Sequence, residues 1–177
     1  MTTADRRQAI LVAAFDCFIQ YGHAKTTFDD VAKKAEVSRS LLYTYFKDKE
    51  DLFLSVARQV LDEQRRKTEA VIESGSGAER EFRDILELWG VELYAKVSDS
   101  AHGRELLGEG YRVWDQIGRK YHDYLVRLLS GFVGGADAAE VVVLSIRGLQ
   151  WDHPSMAVLR KRIRVLEGLV LKHKRRP

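Results

Sequence analysis

TTFDDVAKKAEVSRSLLYTYF, Thr26 to Phe46, contains two short amphipathic runs separated by Ala35-Glu36-Val37. Thr26 and Thr27 are hydroxyl residues of the kind that cap helix N-termini. FDDVAKKA follows, with Asp29 and Asp30 in a first turn, where the helix dipole favours anions, and Val31, Ala32 and Ala35 on one side. Ser38 offers a second cap, ahead of RSLLYTYF. Two helices, about 27–35 and 38–46, joined by some three residues have the layout of a helix-turn-helix. That motif sets its second helix in the major groove of DNA.

The second helix divides its side chains accordingly. Val37, Leu41, Leu42 and Phe46 hold it against neighbouring helices, while Arg39, Ser40 and Thr44 point outward, where a recognition helix meets base edges. Tyr43 and Tyr45 lie two residues apart, about 200° around the helix, so at least one ring must be exposed. Their hydroxyls can donate to phosphate oxygens and their rings can meet thymine methyls. Lys49, at the start of the next helix, adds a positive side chain to a helix N-terminus, two attractions for phosphate.

Working outward, helical spacing continues. Ile10, Ala13, Ala14, Cys17, Phe18 and Tyr21 share one side of a helix at about 5–21, closed by Gly22. Asp48 caps a long segment, about 49–72, whose face turns from apolar (Leu52, Val56) to polar (Gln59, Glu63), so its far end is expected to be more exposed. After ESGSGAE (73–79), Phe82, Ile85, Trp89 and Leu93 form one stripe, and Trp114, Ile117, Tyr121, Leu125, Leu128 and Phe132 another. Between them SDSAHGRELLGEG reads as a short helix with loose ends. ADAAEVVVLSIRGL (136–149) is apolar almost all round, which predicts burial on several sides. Pro154 fits the first turn of a last helix capped by Asp152 or His153, with Leu159, Ile163, Leu166 and Val170 as its stripe. Strand-like alternation is not sustained anywhere, so the chain is all-α, with about nine helices.

Composition narrows the function. No run of 18 apolar residues exists among the 177, so no membrane span is expected. MTTADRRQ lacks the apolar region of a secretory signal, and the single Cys17 forms no internal disulfide; a reducing cytoplasm fits both. The net charge of +3 hides an asymmetry: residues 160–177 carry eight Lys/Arg and one Glu, and the rest of the chain is net acidic. That basic tail is either a solvated helix end or a second contact to an acidic partner. The five histidines (23, 102, 122, 153 and 173) fall on separate segments, so no metal is expected. No phosphate loop or nucleophilic triad can be assembled, so neither a cofactor nor an enzymatic activity is expected.

R-x-x-I-L-x-A-A-x-x-x-F (7–18), Y-G (21–22), T-T-x-x-x-V-A (26–32), A-E-V-S-R-S-L-L-Y-T-Y-F (35–46) and K-D-K-E-D-L (47–52) together resemble the N-terminal domain of TetR-type transcriptional regulators. The resemblance covers about residues 5–55. It implies a helix-turn-helix DNA-binding domain (1–48, motif 26–46) and a larger helical domain (49–177) that encloses a small-molecule effector and dimerises through its last two long helices. Carried over residue by residue, Thr26, Thr27, Tyr43, Tyr45 and Lys49 match phosphate contacts, and Arg39, Ser40 and Thr44 match base readers, with Ser38 beside them at the cap. One departure stands out. The family usually has glycine at the turn position held here by Glu36.

Trp89, Leu93, Tyr111, Trp114, Tyr121 and His122 make the middle of the chain rich in aromatic and polar-tipped side chains. They read either as a pocket for a small apolar or aromatic effector or as the filling of a helical core. One helix-turn-helix reads few base pairs, so two copies on a two-fold axis would read a palindromic operator in double-stranded DNA. The segments 138–149 and 156–170 can supply that homodimer interface. The leading expectation is a repressor released by an effector. The alternative is a regulator without one, controlled by a protein or acting as an activator. A helical enzyme or adaptor with an incidental helix-turn-helix is the third.

Overall fold

The computed structural model describes residues 2–98, 100, 102 and 117–174, and the elements among them are all helical. They fall into two compact units. The first runs to Asp62 and takes in Ser100, His102 and Ile117; the second takes Glu63–Ser98 and Gly118 onward.

In the first unit, α1 (Thr3–Tyr21) begins two residues before its apolar spacing predicts. Thr2 and Asp5 form a capping box: the Asp5 N–H donates to the Thr2 hydroxyl at 3.1 Å and the Thr2 N–H to the Asp5 carboxylate at 2.8 Å. Gly22, at φ 81°, closes the helix by donating its N–H to Phe18 O. Helix α2 (Phe28–Lys34) opens with a second capping box between Thr27 and Asp30. Helix α3 (Arg39–Tyr45) is capped by Ser38, whose Oγ accepts from Leu41 N–H at 3.2 Å. Asp48 caps α4 (Lys49–Glu73), its carboxylate accepting from Asp51 N–H at 2.9 Å. Ile10, Ala14, Cys17 and Phe18 of α1, Val31 of α2, Leu42 of α3, then Phe46 and Leu52 form the core of this unit. Burial pushes the Cys17 thiol pKa up, which suits an inert packing role.

The second unit contains α5 (Ala78–Leu86), a π-helical stretch (Glu87–Glu92), α6 (Leu93–Ser98), α7 (Arg119–Val133), α8 (Ala136–Gly148) and α9 (Met156–Lys174). Phe82, Ile85, Leu86, Trp89, Leu125, Leu129, Ile146 and Leu159 are all buried here. Gly90 lies where helices meet: a Cβ on it would stand 2.6 Å from Ile163 Cδ1. Its carbonyl accepts from the Gln150 side chain at 2.8 Å. Two arginines of the basic C-terminal stretch are paired, Arg160 with Glu87 at 3.3 Å and Arg162 with Asp152 at 2.5 Å.

Three expectations change. Pro154 precedes the last helix, and Ser155 rather than Asp152 or His153 caps it, its hydroxyl accepting from Val158 N–H at 3.4 Å. Asp152 instead holds Arg162, and His153 sits at φ 49°. Helix α8 is not buried on several sides. Ala139, Val142, Val143 and Ile146 face the core, but Val141 is 62% and Leu144 49% exposed. A second apolar stripe on α9, Val158, Val165 and Leu169, is exposed too. Finally, the far part of α4 does not simply become more exposed. Gln64 and Thr68 are both 0% exposed. SDSAHGRELLGEG is described only at Ser98, Ser100 and His102, so the helix expected there lies outside the described residues.

Candidate nucleic-acid interface

The turn between α2 and α3 positions everything that follows. Glu36 adopts φ 55°. Its N–H donates to Lys33 O at 3.3 Å, and Val37 N–H reaches back to Ala32 O at 3.0 Å. Those two bonds around a left-handed residue make a Schellman ending, which satisfies carbonyls that α2 would otherwise leave open. Glutamate therefore occupies the position that glycine fills most easily.

Helix α3 leaves that turn with Leu42 fully buried and Phe46, just past its end, 1% exposed. The opposite face carries Arg39, Ser40, Tyr43 and Thr44, all exposed. The Arg39 guanidinium donates to the Asp29 carboxylate at 2.9 Å and to the Tyr43 hydroxyl at 3.3 Å, and it lies 5.7 Å from the Tyr43 ring centre. Tyr43 in turn rests against Phe28, ring centres 4.8 Å apart. The hydrogen bond that Arg39 donates to Tyr43, then the Asp29 charge, push the Arg39 pKa up, so the side chain is a permanent cation on this face. Thr44 donates its hydroxyl to Leu41 O at 2.7 Å, which still leaves an acceptor outward. The Ser38 Oγ lies 3.0 Å from that of Ser40. Tyr45 is half-buried, its hydroxyl 3.5 Å from Thr3 O.

Three expected phosphate contacts, Thr26, Thr27 and Lys49, have partners within the protein. Thr26 is 1% exposed, and its hydroxyl donates to Gly22 O at 2.7 Å and Cys17 O at 3.1 Å. Its N–H donates to Gly22 O as well. Neither donor faces outward, because both fasten the α1–α2 connection. Thr27 is exposed, but its hydroxyl is held by Asp30 at 2.6 Å. Lys49 donates to the carbonyls of His23 at 2.9 Å and Ala24 at 3.0 Å. It pins the same connection, with one ammonium hydrogen over. Asp29 is the residue that sequence reasoning missed on this face. Its place in the first turn of α2 reads as helix chemistry, and nothing in the spacing announces its contact with Arg39.

The expected effector residues separate. Tyr111 and Trp114 lie outside the described residues. Trp89 is buried, and its indole N–H donates to the Thr68 hydroxyl at 2.9 Å. Leu93 is half-buried one turn on. Tyr121 is a core residue of α7, with the Lys120 ammonium 5.3 Å from its ring centre. His122 is hydrogen-bonded to Glu140 at 2.8 Å, tying α7 to α8. The missed residues are Gln64 and Thr68. They continue the inward face of α4 beyond Leu61, a periodicity that could have revealed them had polarity not been read as exposure.

Residues 10–56 match the model of the tetR family of bacterial regulatory proteins. Over 69 residues the chain is 42% identical to the uncharacterized HTH-type transcriptional regulator YhgD of Bacillus subtilis, covering 39% of this chain and 36% of that protein. Over 70 residues it is 37% identical to the HTH-type transcriptional repressor AcnR of Corynebacterium diphtheriae, covering 40% and 35%. The matches thus span about a third of the length of these curated relatives. The fold agreement is wider. A crystal structure of a transcriptional regulator from Cytophaga hutchinsonii superimposes with a TM-score of 0.79 over 94% of this chain and 96% of that one, at 19% identity.

Proposed function

We infer that this chain, which belongs to the TetR type of bacterial transcriptional regulators, binds double-stranded DNA through α2 and α3 and acts as a repressor. One observation carries the inference. Helix α3 is anchored by Leu42 on a closed turn, while Arg39, Ser40, Tyr43 and Thr44 share its open face. Arginine supplies a bidentate donor for guanine, and hydroxyls serve either a base edge or a phosphate. Ser38, Thr27 and Tyr45 flank that face, and Lys49 has one donor left for phosphate. Residues 1–48 are the DNA-binding part and 49–177 the effector and dimerisation part in this proposal.

The functional unit is a homodimer in the cytoplasm. Val141 and Leu144 of α8 and Val158, Val165 and Leu169 of α9 are exposed apolar side chains that would supply its contact surface. A two-fold axis through it would present two copies of α3 to half-sites about 34–36 Å apart, hence to a palindromic operator. A small apolar or aromatic effector held within the 49–177 part would then favour the conformer whose two heads no longer match that spacing. AcnR, a relative named as a repressor, supports the direction of control. No single described helix is long and apolar enough to cross a membrane.

Selection of bound sequences from random duplex DNA tests the proposal. The expected product is a palindrome, bound more weakly as salt rises. Enrichment of no sequence, or of an unpaired half-site, would overturn it.

A further inference from the structure

We propose that Gln64 is the polar anchor of the effector site and selects a neutral planar amide edge: a lactam, a cis-imide or a carboxamide. The proposal rests on the effector reading above and deepens it. Gln64 is 0% exposed, and neither its side-chain oxygen nor its side-chain nitrogen has a hydrogen-bond partner. Leaving both ends of a buried carboxamide unpaired opposes folding, and such groups call for a specific cause.

Nearby polar groups do not relieve it. The Thr68 hydroxyl, one turn on, donates to the main-chain carbonyl of Gln64 at 2.8 Å and accepts from the Trp89 indole at 2.9 Å. That relay is complete without the carboxamide. Trp89 itself sits in the π-helical stretch Glu87–Glu92, a wide turn that recurs at functional sites.

Charge explains why the ligand is neutral. Three ion pairs on the neighbouring turns of α4 are closed already: Glu63 with Lys96 at 3.2 Å, Lys67 with Glu92, and Arg65 with Glu69 at 3.5 Å. No net charge is offered to an ion by this cluster. A carboxamide presents one acceptor and one donor in a single plane. An anion would use the N–H side only and face the oxygen; a cation would do the reverse; a hydrocarbon would use neither. An amide edge with C=O and N–H side by side pairs with both.

The test is a thermal-shift titration of the full chain with δ-valerolactam and benzamide, against N-methylvalerolactam, benzoate, benzylammonium and toluene. The two amides should raise Tm with concentration. Benzoate and benzylammonium should not, and N-methylation should weaken lactam binding by at least about tenfold, since it leaves a buried acceptor unpaired. Gln64→Met should match or exceed the unliganded Tm of the wild type and lose the amide response by a similar factor. Amides failing to outperform their comparators, or acting equally on Gln64→Met, would overturn the assignment while leaving an effector site in place. A lower unliganded Tm for Gln64→Met would overturn it too, since the carboxamide would then be bonded within the protein. Silence from every probe would sink the effector reading along with it.

Discussion

Replacing Glu36 with glycine isolates a backbone term at the turn that aims α3. Glu36 holds φ 55° inside a Schellman ending, with Val37 N–H bonded to Ala32 O at 3.0 Å. An L-residue with a Cβ pays roughly 1–2 kcal/mol for that conformation. Glycine removes the strain but has more unfolded-state freedom to lose, about 0.4–1 kcal/mol. The exposed carboxylate also sits at the C-terminal end of α2, where the dipole disfavours an anion by a few tenths of a kcal/mol. The net gain for Glu36→Gly is about 0.5–1 kcal/mol, or some 1–4 °C in Tm for a chain of this size. Glu36→Ala is the control. It removes the carboxylate and keeps the strained Cβ, so it should stay within about 0.5 kcal/mol of wild type. Calorimetry on the three proteins decides the matter. Both variants should bind DNA more tightly at low salt, because each removes a negative charge from the reading head. A glycine variant no more stable than wild type, or an alanine variant gaining as much as glycine, would refute the strain argument.

Gly90→Ala should destabilise by about 1–3 kcal/mol in denaturant unfolding, because its Cβ would stand 2.6 Å from Ile163 Cδ1. Adding Ile163→Val, which deletes that methyl, should recover part of the loss; a purely additive double variant would contradict the clash. Leu169→Glu combined with Val165→Glu should give monomers in light scattering and abolish binding to a palindrome, with helicity by circular dichroism unchanged. Asp30 is hydrogen-bonded first by the Thr27 hydroxyl and then by its N–H, which lowers its pKa below the ordinary 3.8. Its contribution is therefore complete above that value and lost as pH falls through the lower folded one. Acid unfolding of Asp30→Ala should lack that portion of the pH dependence. Asp29→Ala frees Arg39 from its 2.9 Å partner, so it should raise affinity for unrelated DNA while narrowing the preference at the base proposed for Arg39, as seen by competition binding.

How legible was all this in the chain? The caps were, since Thr27, Ser38 and Asp48 each do locally what a short polar side chain before an apolar run does anywhere. Glu36 was legible as a departure, because a three-residue turn leaves few backbone routes and one of them needs positive φ. What is hidden in the chain has a common cause: pairwise contacts between separate segments leave no local mark. Thr26 looked like a free hydroxyl, yet its partners are carbonyls four and nine residues back. Lys49 reads as a phosphate donor, and the two carbonyls of the α1–α2 connection that it also bonds leave no mark in its local sequence. Helix α8 reads as buried all round because its composition states only that it is apolar; which side packs inward is set by partners elsewhere in the chain, and Val141 and Leu144 face outward. Gln64 is the inverse case. Polarity predicts exposure only on average, and a polar residue that keeps the inward phase of an apolar helix is buried wherever that phase leads. The two exceptions point the same way physically: outward Leu144 and inward Gln64 each leave a surface that folding by itself does not complete, one apolar and one hydrogen-bonding. A second chain is the proposed answer to the first, and a small amide to the second.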